Sequence, residues 1–364
     1  MMVVSKQHQI FLDFLRFCIG SDSEIPSSLK EADWKELYRI AQKQCLVGIL
    51  FDGIQKLPAA EVGMSKELLL QWMMRCQMLE KTNVRLNDAA IQVSEWFRKK
   101  GFRTCILKGQ GNALMYPNPY SRTPGDIDIW VEGGDKWVIS FVRSISPHEK
   151  ACYHHIEFPS YKGVEVEVHY RPSFLLCFWH NRKLQKYYER VKEKQFSHRV
   201  MLGEQGEIAI PTVEFNLIFQ LTHIYAHLMN EGIGLRQLLD YYYVLISDDL
   251  LLIRDRVQKE LKELGLWKFA GAIMYIMQEV FDLPASRLIV PPNEKYGRFV
   301  LNEVLEAGNF GKHDARNRFG RSQLGHNLQR VYRDIRLVRY FPAEALCEPL
   351  FRIWHFFWRL KHRR

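Results

Sequence analysis

The hydrophobic period of this chain changes twice. It is helical up to Gly101, alternates every second residue in short runs between Thr104 and His169, and is helical again after Pro211. Runs of period two bury one face as strands and not as helices, so a small sheet must lie between two helical regions. In the first region Ile10, Phe11, Phe14, Leu15 and Cys18 share one helical face, and Trp34, Leu37 and Ala41 another. Ile49, Leu50 and Ile54 form a third stripe. A long helix is predicted from about Lys66, striped by Leu79, Leu86, Ala90, Val93 and Phe97. Lys99 and Lys100 suit its last turn, and Gly101 its C-terminal cap.

Strands are predicted at Thr104–Leu107, Asp126–Val131, Tyr153–Phe158 and Val164–His169, the last two joined as a hairpin across 159–163. Gly109 to Tyr116 can form one or two helical turns, and Asp135 to Ser144 a helix after the Gly133-Gly134 turn. Helix in part over 173–197 and a small hairpin at Gly203–Gly206 lead to Thr212, a good N-cap with Glu214 in the first turn. Phe215, Ile218, Leu221, Ile224, Tyr225 and Leu228 then follow at helical spacing. The expectation is an α+β protein: an N-terminal helical region over 1–102, a core over 103–172, a connection over 173–210, and a C-terminal helical region over 211–364.

The seven cysteines are scattered and never form a C-x-x-C pair, which argues against a disulfide framework and for a reducing compartment. Charges interrupt every apolar stretch, so no transmembrane segment is expected and the cytoplasm is the expected location. Net charge is +10, but from Lys312 to Arg364 there are 13 Lys/Arg against four acids, a local net of +9. The positive charge therefore belongs to one end of the chain, and general polyanion binding by the rest is disfavoured.

Asp126 and Asp128 project from one face of a strand with no basic residue between them to neutralise the pair. Such a pair repels itself unless cations enter, and hard oxygen ligands favour Mg²⁺ or Mn²⁺. Glu165, Glu167 and His169 share one face of a second strand, so either glutamate can supply a third carboxylate. Two ions about 3.5–4 Å apart can then clamp the attacking and leaving oxygens of a phosphoryl displacement. Upstream, Lys108-Gly109-Gln110-Gly111 runs from a strand into a turn whose backbone N–H groups can cradle phosphates, with Lys108 as a point charge. Arg122 stands four residues before Asp126 and can reach either phosphate or the acids.

Leu107-Lys108-Gly109, the run Arg122-Thr123-Pro124-Gly125-Asp126-Ile127-Asp128-Ile129-Trp130-Val131, and Glu167-Val168-His169 together resemble the uncharacterised nucleotidyltransferase family of the polymerase-beta-like nucleotidyltransferase superfamily. The resemblance implies a small mixed sheet with helices on one side. It implies transfer of a nucleoside monophosphate from an NTP to a hydroxyl-bearing acceptor, with Mg²⁺ (or Mn²⁺) held by Asp126, Asp128 and Glu167. Gly109 matches the family's turn glycine, while Gln110 stands where Ser or Gly is usual in the wider superfamily. The acceptor and the base of the NTP are not legible. An alternative is a catalytically inactive adaptor, or an antitoxin-like partner-binding protein on the same fold.

His223 and His227 have metal-ligand spacing, but they sit on an apolar stripe and are expected to pack beneath the site. Arg321 to His326 has an R-x4-H form that an arginine-rich segment reaches by chance. The end of the chain, from Arg352 to Arg364, mixes aromatics with cations and could meet nucleic acid or an anionic membrane surface.

Overall fold

The helical stripes close into helices where capping side chains allow it. A computed structural model of the chain describes residues 5–58, 63–204, 206–311, 316 and 323–362. Helix α1 (Lys6–Ile19) is capped by Ser5, whose Oγ accepts from the His8 N–H, and buries the stripe read from the sequence. In α2 (Trp34–Gln44) the Asp33 carboxylate accepts from the Lys35 and Glu36 N–H groups. Helix α3 (Val47–Ile54) then packs under α1 and against α4 (Lys66–Lys99). Leu86, Ala90, Val93 and Phe97 form the buried C-terminal half of α4, and the sheet is laid on that half.

The sheet holds β1 (Thr104–Ile106), β2 (Ile127–Val131), β3 (His155–Tyr161) and β4 (Val164–His169) in the order β1-β2-β4-β3. It is mixed: β2 pairs parallel with β4, and the two outer pairings are antiparallel. Between its strands lie α5 (Gln110–Ala113) and α6 (Gly134–Ile145). Ile127, Ile129, Val131, Val164, Val166 and Val168 face α4 and α6 in one apolar cluster. The opposite face carries Asp128 and Trp130, and Trp130 packs against Phe196 and Phe215.

Several boundaries differ from the sequence reading: β1 ends at Ile106 and not Leu107, and β3 begins at His155 and not Tyr153. Strand β2 begins at Ile127, leaving Asp126 one residue outside it. Strand β3 runs on to Tyr161 through Pro159, because β3 is an edge strand and a residue lacking an N–H costs no ladder bond on the open side. The turn shrinks to Lys162 and Gly163, both with positive φ, as tight hairpins require.

Helix α7 (Phe178–Ser197) and the hairpin of β5 (Arg199–Leu202) with β6 (Gly206–Ala209) lead into the C-terminal helices. These are α8 (Val213–Asn230), α9 (Leu235–Leu245), α10 (Leu250–Glu263), α11 (Trp267–Phe281), α12 (Glu294–Ala307), α13 (Gln323–Leu337) and α14 (Pro342–Lys361). Thr212 caps α8 as expected, accepting from the Phe215 N–H. Arg321 and the side chain of His326 lie outside the described residues. Among the described residues no helix is long and apolar enough to cross a membrane.

One close approach joins the N-terminal helices to the loop before the acids. A Cβ at Gly48 would lie 2.2 Å from the Ser121 carbonyl oxygen, a backbone atom that cannot swing aside. Gly48→Ala is expected to cost about 1–3 kcal/mol of unfolding free energy. Denaturant melts read this, and an unchanged midpoint would show the approach to be loose.

Candidate active site

Strand parity and register bring the three carboxylates together. Asp128 and Glu167 are direct partners across the parallel β2–β4 pair, and Asp126 precedes them on the same face. One oxygen from each of Asp126, Asp128 and Glu167 lies within 4.8 Å of the others. Of the two glutamates left open by the sequence, Glu167 joins this group, while Glu165 is exposed.

Cations answer this charge unevenly. Lys108 Nζ and His169 Nε2 each lie 2.9 Å from Asp128 Oδ1, and His169 Nε2 is 3.4 Å from Glu167. Asp128 is buried, and the two cations hold its carboxyl well below the usual range against that burial. Burial alone would depress His169, but hydrogen bonds to Asp128 and Glu167 push it up to about 9. Among the described residues Asp126 has no such hydrogen-bonded cation. The charge of Asp128, with burial, pushes it up to about 6. Three carboxylates thus face two cations, one positive charge short.

Lys108 reaches the acids from a turn in which Gly109 adopts φ +55, and a Cβ there would meet the Asp126 carbonyl at 3.5 Å. The neighbouring Gln110 turns away: it is buried, and its amide donates to Asn87 on α4. Arg122 is also engaged elsewhere. Its Nε and Nη2 both donate to Asp240 on α9 at 2.7 Å, and Tyr116 Oη donates to the same carboxylate at 2.7 Å. The guanidinium therefore positions the 122–126 loop; it is not directed at the acids as its sequence spacing suggested.

Two hollows meet at the carboxylates, sharing Lys108, Asp126 and His223. One, of about 260 Å³, runs past Gly109, Thr123, Pro124 and Asp128. The other, of about 710 Å³, is walled by Glu167, His154, His155, His227 and aromatic side chains. His155 Nδ1 is 3.3 Å from Glu167, and burial pushes this imidazole down to about 4, so it is neutral at pH 7. Cys152, His154 and His155 form a second, softer group of donors beside it. His223 and His227 line the cavity wall, with His223 Nε2 3.3 Å from Lys108 Nζ.

Sequence reasoning passed over His154, His155 and Asp240. His155 is the register partner of His169 only through the irregularity between Phe158 and Tyr161; a regular hairpin on the Lys162-Gly163 turn would have paired His169 with Ile156. Asp240 lies 118 residues from Arg122, and no local signal links them.

The family described as uncharacterised nucleotidyltransferase matches residues 30–282. Among curated proteins no relative matches the chain. Among solved structures, an antigenic nucleotidyltransferase-like protein from Paracoccidioides brasiliensis aligns with 58% of this chain and 96% of its own, at 13% identity and TM-score 0.32. A superposition that loose carries no argument about the site.

Two outcomes follow from the charge pattern. Asp240→Ala leaves a buried guanidinium unpaired and should cost about 3–5 kcal/mol of stability, measurable by denaturant unfolding. A loss below about 1 kcal/mol would mean Arg122 re-pairs at once. His169 has a folded value near 9, above its unfolded 6.5, so its ion pairs stabilise fully below 6.5 and fade as pH rises through 9. The stability gap between wild type and His169→Asn should therefore narrow across that window. A gap independent of pH would disprove the charged pairing.

Proposed function

The chain belongs to the uncharacterised nucleotidyltransferase family, and from that premise we propose that it transfers a nucleoside monophosphate from an NTP to a hydroxyl-bearing acceptor, in the manner of polymerase-beta-type enzymes. The observation that carries the reading is the convergence of Asp126, Asp128 and Glu167 within 4.8 Å at the meeting point of two hollows. A family assignment alone would not require all three on one surface.

The donor set fits a hard divalent cation. Three carboxylate oxygens are grouped, and the raised Asp126 marks a cluster one counter-charge short. Asp126, Asp128 and Glu167 would hold Mg²⁺ or Mn²⁺, which when bound sets positive charge against the phosphoryl oxygens and eases ionisation of the acceptor hydroxyl. Lys108 is the cation we assign to the nucleotide. It neutralises Asp128 without nucleotide, and its Nζ, beside the Gly109 turn, is positioned to take the triphosphate oxygens. His169 keeps Asp128 ionised and fixed when Lys108 turns to phosphate. Arg122 holds the loop that carries Asp126.

The acceptor enters through the larger hollow, past Glu167 and His155. Its hydroxyl oxygen attacks the α-phosphorus, a new O–P bond forms, and the bond from that phosphorus to the bridging oxygen breaks. Pyrophosphate leaves with the bonding electrons. The hydroxyl proton leaves to solvent past Glu167 and His155, whose Oε2 and Nδ1 stand 3.3 Å apart.

Asp126→Asn and Asp128→Asn should each lower transfer about a hundredfold or more, followed with labelled NTPs against protein, small-hydroxyl and RNA acceptors. Binding of NTP with Mn²⁺, by calorimetry, should weaken as pH falls below about 6, because the proton then held by Asp126 must be displaced. Metal-dependent binding without turnover on any acceptor would leave the inactive adaptor. If none of ATP, GTP, CTP and UTP binds in a metal-dependent way, the site is misread.

A further inference from the structure

Helices α13 and α14 form an antiparallel hairpin whose outer face is not covered by any of the described residues. On α13, Leu328, Val331, Tyr332 and Ile335 recur at spacings of three, one and three residues, one helical stripe. On α14, Leu346, Leu350, Ile353, Phe357 and Leu360 recur at four, three, four and three, and Phe356 flanks them. All ten of these side chains are 42–66% exposed. Apolar residues arranged so regularly and left in water are unusual for a chain that works unpartnered.

The charges around the stripes have one sign. Between 323 and 362 the acids are Asp334, Glu344 and Glu348, and all three are buried. Glu344 accepts from the Leu176 and Cys177 N–H groups, and Glu348 meets Arg352 at 3.6 Å. Arg339, Arg359 and Lys361 are exposed, whereas Arg333 is buried and Arg330 and Arg352 line the hollow beside Glu167. The outer surface of the hairpin therefore offers apolar stripes and positive charge, with its negative charge turned inward.

We propose that this face docks on an anionic phospholipid bilayer, lying in the headgroup plane with the stripes against the acyl boundary. Each half of the pattern selects that occupant. Aliphatic stripes gain nothing on a phosphate backbone, which nucleic-acid surfaces meet with cations and stacked rings. A second copy would set the same unbalanced cations against each other. An anionic bilayer satisfies both the apolar residues and the cationic rim. The inference stands independently of what the carboxylate site does.

The test uses the full chain, cosedimented at low salt with vesicles of phosphatidylcholine alone or with about a third phosphatidylglycerol. Wild type should bind the anionic vesicles at least about tenfold more tightly than the neutral ones. Leu350→Ser with Phe357→Ser, and separately Arg359→Glu with Lys361→Glu, should each weaken that binding about tenfold or more. Both variants should keep wild-type unfolding curves and NTP binding, since the changed side chains are exposed and outside the site. Several results would overturn the proposal: no vesicle binding by wild type, or binding that the stripe variant leaves intact. So would a dimer in sedimentation equilibrium that the stripe variant dissolves, which would give the face to a second copy. Tighter binding to RNA than to vesicles, lost only in the rim variant, would give it to nucleic acid.

Discussion

Carboxylates crowded at the end of a sheet raise one another's energy, and much of the surrounding structure answers that repulsion. Register alone puts Asp128 opposite Glu167, so the parallel pairing of β2 with β4 imposes the crowding whether or not a ligand is present. Lys108 and His169 relieve it at Asp128, each at 2.9 Å from its Oδ1. The relief stops there. At Asp126 the charge of Asp128, with burial, outweighs the pull of Lys108 and pushes the carboxyl up to about 6. A cluster fully neutralised by protein cations would have no affinity left for metal. One with no protein cation would pull its strands apart.

The second constraint lies behind the first. Arg122, Asp240 and Tyr116 form a buried ion-pair network, and Arg236 adds a hydrogen bond to the Thr123 carbonyl at 3.2 Å. Those contacts anchor the loop before Asp126 to helix α9, far along the chain. Asn83 on α4 donates to the carbonyls of Tyr120 and Arg122 at 2.9 Å, so the same loop is pinned from the N-terminal region as well. Asp126 stands outside the strand and lacks ladder bonds of its own to locate it. Its position is inherited from both helical regions, which is why a sheet this small cannot be understood apart from them.

How much of this was legible depended on how far each interaction reaches. Parity is a local property: alternation at Asp126-Ile127-Asp128 and at Val166-Glu167-Val168 was enough to put the carboxylates on one surface, and the helix caps at Thr212 and Gly101 were local too. Pairing partners are not local. Arg122 looked free to reach phosphate or the acids just after it, but Asp240 on α9 takes it in three dimensions. Gln110 looked like a site residue by position, but the four-residue turn of α5 directs its side chain into α4. His155 needed the register of an edge strand, which the bulge between Phe158 and Tyr161 hides from a count of residues.

The walls of the larger hollow divide along the chain in a way that bears on specificity. Lys108, Asp126, Glu167, His169 and His223 fall inside the stretch that matches the family, residues 30–282. Arg330, Glu348, Phe351, Arg352 and His355 complete the same hollow from α13 and α14, beyond that stretch. Phe351 is held there by stacking on Phe174 at 5.3 Å and by an edge contact with Tyr153, so this wall is packed onto the core and is not a loose flap. What enters the hollow must therefore satisfy side chains that family membership does not describe. The hairpin of α13 and α14 lines that hollow with its inner face, while its outer face is apolar and cationic.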